Sequence, residues 1–115
     1  MTDPGLQHPH KTIATLLLLA GLALAPMAAR ADDASAKLFQ MKCIACHAAD
    51  GTGNTPVGKT LKIKDLADPD VQKDTDAAMT DIITMGKDKM PAYGKALKPD
   101  QIKGLVAYVR SLAHK

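Results

Sequence analysis

The sequence predicts an all-α domain: three main helices plus long loops wrapped around a group that is not protein. Three observations lead there. Apolar residues recur at helical spacing near the end of the chain, no segment alternates long enough to form a strand, and large apolar side chains are scarce. A chain of 115 residues holds at most one domain.

The first helix is expected over Ala34–Ala48, capped by Asp32 or Asp33, with Leu38, Phe39, Met41 and Ala45 as its apolar members. The second starts near Asp74 or Thr75, places Met79, Ile82 and Ile83 on one face and stops at Gly86. The third has Pro99 at its first position and Asp100 near the positive end of the helix dipole. Its apolar set, Ile102, Leu105, Val106, Val109 and Leu112, falls at steps of 3, 4, 7 and 10 from the first. Between the first two helices Asp50–Gln72 is rich in Gly, Pro, Asn and Asp, and Leu61–Lys64 is read as loop or a brief extended piece. A 23-residue loop is long for so small a domain. It is tolerable if it wraps a ligand.

Residues 1–31 read as an export signal that is cleaved. His8, His10 and Lys11 precede Thr12–Ala25, in which 11 of 14 residues are apolar, and Ala29-Arg30-Ala31 supplies the small-x-small pattern of a processing site. The apolar run is shorter than the roughly 20 residues a membrane span needs. Cleavage after Ala31 leaves a domain at 32–115 with no membrane span.

Of those 84 residues 36 are apolar, but 12 are Ala and two are Cys, and the aromatic side chains are Phe39, Tyr93 and Tyr108. Chains this short usually need a staple beyond their core. A disulfide between two cysteines three positions apart would close a trivial loop. Composition therefore asks for a bound group. Charge excludes a different class: 13 basic against 11 acidic residues is far from the dense basic stripe that nucleic acid demands. The charges are sorted, with Asp65, Asp68, Asp70, Asp74, Asp76 and Asp81 in one stretch, and Lys87, Lys89, Lys95, Lys98 and Lys103 in the next.

Cys43-Ile44-Ala45-Cys46-His47 has the C-x-x-C-H spacing of c-type haem attachment. On a helix, positions i, i+3 and i+4 share a face, so both thiols meet one edge of a porphyrin while the imidazole reaches the metal. The thiols add across the two haem vinyl groups as thioethers. A thioredoxin-like dithiol would need a βαβ surround, and structural zinc would need four ligands where the remaining candidate is the near-terminal His114. A plain disulfide leaves the adjacent histidine and the thin core unexplained.

For the sixth iron position the candidates are Met41, Met79, Met85 and Met90. Met41 and Met79 fall on helix faces where a core role suffices, and Met85 sits at a helix end. Met90 precedes Pro91 in a polar loop between Gly86 and Gly94, where no helix face accounts for it. Met90 is the expected ligand and Met85 the alternative.

Over residues 33–114 the chain resembles the small class I monohaem cytochromes c of the bacterial periplasm, on Cys43–His47 and on Met90-Pro91-Ala92-Tyr93. The resemblance implies the cytochrome c fold around one haem c, covalent through Cys43 and Cys46, with His47 and Met90 as axial ligands. It implies contact between Phe39 and Tyr108, and small residues where the terminal helices cross, a place Ser35 takes. It gives Pro56 the role of accepting a hydrogen bond on its carbonyl from the other ring nitrogen of His47.

A His/Met iron has no position for substrate, so the expected activity is one-electron carriage, not catalysis. Thioether sulfur favours Fe(II) and raises the potential. Partners are then periplasmic or membrane-bound redox proteins, met by a monomer through the face carrying Lys87, Lys89 and Lys95. The other readings are a relay subunit of a larger dehydrogenase or oxidase, and a haem enzyme or gas sensor with an open sixth position.

Overall fold

The computed structural model describes residues 27–113 together with Gly5 and Gly21. The other residues of 1–26, on which most of the expected export signal falls, and His114 lie outside the described residues. Among the described residues there are six helices and no strand: α1 Met27–Lys42, α2 Ile44–His47, α3 Pro56–Thr60, α4 Pro69–Gln72, α5 Asp76–Met85 and α6 Pro99–Leu112.

The expected first helix is in two pieces and starts earlier. From Met27 to Lys42 there is no Gly or Pro, and alanine is the strongest helix former, so α1 starts before Asp32 and leaves Asp32 and Asp33 inside it rather than capping it. At Cys43 the backbone steps out of the helical path (φ −117°) and α2 follows. Met41, expected in the core, is 70% exposed. It lies two positions beyond the buried Phe39, roughly 200° further round the helix.

The other two main helices start and stop where their sequence signals lie. Thr75 caps α5, its hydroxyl accepting from the Ala78 amide at 3.1 Å, and Gly86 ends it at φ 77°. Pro99 opens α6, and the Gln101 side chain accepts from the Lys98 amide at 2.8 Å. Inside the long loop, Thr55-Pro56 and Asp68-Pro69 each start one turn of helix, with the Thr55 and Asp68 side chains as caps. Four or five residues are too few for an apolar period to show. No extended piece forms at Leu61–Lys64; Lys62 takes φ 54° in a turn.

The core joins α1, α5 and α6. α1 contributes Leu38 and Phe39, α5 Met79 and Ile83, and α6 Ile102, Leu105, Val106 and Leu112, with Leu97 just before it. The terminal helices approach closely because both are small at the crossing: a Cβ on Gly104 would run into the Ser35 hydroxyl. Beside it the Phe39 and Tyr108 rings pack with centroids 4.9 Å apart at 47°.

Arg110 of α6 holds the acidic stretch, which in sequence faces only Lys73. Its Nε donates to Asp76 Oδ1 at 2.9 Å, and its Nη atoms donate to the carbonyls of Gln72 and Asp74. The Gln72 amide in turn donates to the Leu66 carbonyl at 2.7 Å and the Val109 carbonyl at 3.0 Å. One guanidinium fork thus pins the α4–α5 junction to α6, a geometry lysine cannot reproduce.

The crossing can be measured. In a Phe39→Leu, Tyr108→Leu double-mutant cycle on the holoprotein, read by denaturant unfolding, a coupling of about 0.5–1.5 kcal/mol is expected.

Candidate functional site

The attachment segment is held from behind. Gly53 N–H donates to the His47 carbonyl at 2.8 Å, and the Thr55 hydroxyl donates to the Ala45 carbonyl at 2.9 Å while accepting from Gly58 N–H at 2.8 Å. Gly58 sits so close to the carbonyls of Cys46 and Gly53 that a Cβ has no room. Between these contacts the chain reverses at Ala48, whose φ 63° and ψ 162° belong to a region essentially reserved for glycine. Thr55 and Gly58 are site residues that motif reading missed. Their signal was the Thr-Pro start of a one-turn helix with glycine two residues on.

Cys43, His47 and Met90 border one cavity of about 410 Å³, within the range of small-molecule sites. Phe39, Leu66, Val71, Met79, Ile82, Ile83, Tyr93, Leu97, Leu105 and Val109 complete its largely apolar lining. Cys46, half-buried, and Pro56, exposed, are not among the lining residues. Charged residues border it too: Lys42, Lys62, Lys64 and Lys87 with Asp70, Asp74 and Asp88.

Met90 is placed by backbone. It pairs with Lys87 across a tight turn, Lys87 N–H to the Met90 carbonyl at 3.1 Å and Met90 N–H to the Lys87 carbonyl at 2.8 Å, with Asp88 at φ 52°. Gly86 allows the approach, since a Cβ there would lie 2.6 Å from the Met90 carbonyl. Tyr93 and Gly94 then donate back to the carbonyls of Ile83 and Thr84, and the Tyr93 hydroxyl reaches the Lys42 carbonyl at 3.3 Å. Met85, the alternative ligand, is 68% exposed and outside the lining, as is Met41. Met79 borders the cavity from within the α5 core face.

The bond expected from His47 to the Pro56 carbonyl is not among the described hydrogen bonds. That carbonyl accepts from the Thr60 hydroxyl at 2.9 Å, because Pro56 opens α3 and its carbonyl joins that helix's own bonding. His47 Nδ1 is buried with no hydrogen-bond partner. The half-buried imidazole and the two free thiols on the same turn are the residue types that hold a c-type haem. Burial holds the His47 imidazole below its ordinary pKa, so it is neutral with a lone pair to give. Burial, then the neighbouring Cys46, pushes the Cys43 thiol up; burial, then the two cysteines, does the same to the Tyr93 phenol. The donor set fits a haem.

Gly58→Ala tests the backing of the attachment segment. The added methyl meets two carbonyls rather than a flexible side chain, so it should cost about 1–3 kcal/mol in urea unfolding of the holoprotein with the m-value unchanged.

Comparison with known proteins gives the same class. Residues 30–109 match a family model described as cytochrome c oxidase, cbb3-type, subunit III. Cytochrome c6 of Leptolyngbya boryana is 40% identical over 82 residues, covering 71% of this chain and 93% of that protein. Cytochrome c6 of a Nostoc species is 37% identical over 105 residues, covering 86% and 91%. Among solved structures, the KustC0563 c-type cytochrome superposes with a TM-score of 0.63 at 31% identity, over 68% of this chain and 95% of that one. The chain belongs to the cytochrome c family, and its function is to carry single electrons on one covalent haem c.

Proposed function

We propose that residues 1–31 direct export and are removed, and that residues 32–115 work in the periplasm as a monomeric electron carrier between redox proteins. Cys43 and Cys46 hold the haem through thioethers, and His47 and Met90 take the axial positions. One observation carries this ligand set: His47 and Met90 border the same apolar cavity, while Met85 and Met41 point into solvent.

When bound, the haem supplies a one-electron Fe(III)/Fe(II) couple. The chain's own residues do the rest. His47 offers a neutral imidazole, and the apolar lining excludes water, which disfavours the more charged ferric state and raises the potential. Met90, fixed by the Lys87 turn and by Gly86, supplies a soft sulfur that leans the same way. Lys87, Lys89 and Lys95 are exposed around this strap and form a face for an acidic partner, with an attraction that falls as salt rises. A second reading, a relay subunit of an oxidase, draws on the family model's description. The two separate on purification, since the carrier runs alone and the subunit brings a larger complex.

Met90→Ala should lower the potential and open the iron to carbon monoxide, with loss of the sulfur-to-ferric charge-transfer band, whereas Met85→Ala should change none of these. If the band survives Met90→Ala, another residue is the ligand.

Mass spectrometry of the exported protein should show a chain starting at Asp32 plus one haem that resists acid–acetone extraction. An unmodified mass from cells competent in haem attachment would refute the covalent link.

A further inference from the structure

The backbone step at Cys43 leaves a carbonyl without its helical partner. In an unbroken helix the Lys42 carbonyl would accept from the Cys46 amide, but Cys46 N–H donates to the Cys43 carbonyl at 3.2 Å instead. The Tyr93 hydroxyl fills the gap, donating to the Lys42 carbonyl at 3.3 Å across 51 positions. This acceptor sits one residue before the first cysteine of the attachment motif.

Everything else that holds the strap, residues 87–94, comes from α5 or from the strap itself. Where it starts, Gly86 N–H donates to the Ile82 carbonyl at 2.9 Å; where it ends, Tyr93 and Gly94 donate to the carbonyls of Ile83 and Thr84 at 2.9 and 3.0 Å. Between them Lys87 pairs with Met90. Both ends thus rest on the last turn of α5, which makes the strap a flap hinged there. Among its described hydrogen bonds, the Tyr93 hydroxyl alone reaches the attachment side of the cavity, which Lys42 and Cys43 border. The Tyr93 ring borders the cavity as well and packs on the core, contacts that a phenylalanine would keep.

We propose that Tyr93 is a positioning residue: its hydroxyl latches the strap to the end of α1, and so keeps Met90 on the iron and foreign ligands off it. The proposal rests on the reading of Met90 as the sixth ligand. Displacing Met90 requires the flap to swing on α5, and that swing breaks the phenol bond while sparing the hinge bonds. The latch is a single exposed hydrogen bond, so it governs how often the strap opens rather than whether the domain folds.

The probe is imidazole, mixed with the ferric holoprotein by stopped flow, with the sulfur-to-ferric charge-transfer band as the signal. At saturating imidazole the rate of band loss equals the rate of strap opening. Tyr93→Phe removes the hydroxyl and keeps the ring. It should raise that limiting rate by about three- to tenfold, the range one neutral hydrogen bond supports. Tyr108→Phe removes a phenol on α6, outside the cavity lining, and should leave the limiting rate at the wild-type value. An unchanged limiting rate in Tyr93→Phe, whatever happens to its urea midpoint, or equal rises in the two variants, would overturn the proposal. Failure of the Met90 reading has a different signature: a wild-type ferric holoprotein that shows no such band and binds imidazole at a rate rising with concentration without limit.

Discussion

The fold hangs on filling the space where its own side chains stop. About 410 Å³ lies between the attachment segment, α5, α6 and the Met90 strap. Left empty and closed, such a volume would cost at most about 10 kcal/mol at the measured rate for core cavities. Small domains have about 5–15 kcal/mol in total. Five of the nine buried apolar residues, Phe39, Met79, Ile83, Leu97 and Leu105, border the cavity, and none of them fills it. A group bound in this space supplies apolar contact that the chain's few large side chains do not.

Backbone strain is spent around this space. Ala48 holds positive φ next to His47, and Asp88 does so two residues before Met90. Each lets the chain turn sharply after or before a proposed ligand and brings a glycine-bearing loop against it: Gly53 onto the His47 carbonyl, Gly86 under the Met90 carbonyl. A side chain at Gly86 would press on the Met90 carbonyl, and one at Gly53 would meet the Ile63 carbonyl on the other side of the loop. The unfavourable conformations persist because the surrounding hydrogen bonds over-determine them.

Much of this was legible in the sequence, and the limits have physical causes. Thr75, Gly86 and Pro99 mark helix ends by mechanisms that act within one turn, so α5 and α6 appear where those residues stand. The Phe39–Tyr108 contact came from family resemblance and is present. Local rules failed where distant residues decide. Arg110 meets Asp76 across 34 positions, and no window of sequence contains that pair. Met41 looked apolar and helical, but its face follows from how Leu38 and Phe39 are turned. For Pro56 the resemblance supplied a partner, whereas the cap-then-proline signal, local and physical, placed it at the start of α3. The C-x-x-C-H spacing marked Cys43, Cys46 and His47, but not the step in the backbone at Cys43.

A carrier works fastest when its ligand shell barely moves between oxidation states, and the two ligand segments are fixed by different means toward that end. His47 rides on a helical turn whose carbonyls are tied to Gly53 and Thr55. Met90 rides on a loop, but one closed by its pair with Lys87 and stitched to α5 through Tyr93 and Gly94. None of these bonds involves the cofactor, so none has to be remade when the iron changes charge. The bond most open to adjustment is the Tyr93 hydroxyl to the Lys42 carbonyl, at 3.3 Å and exposed. It joins the strap to the end of α1, next to Cys43, and so ties the segment of one proposed ligand to the segment of the other. Rigidity in this molecule comes less from a dense core than from main-chain bonds placed on both ligand-bearing segments.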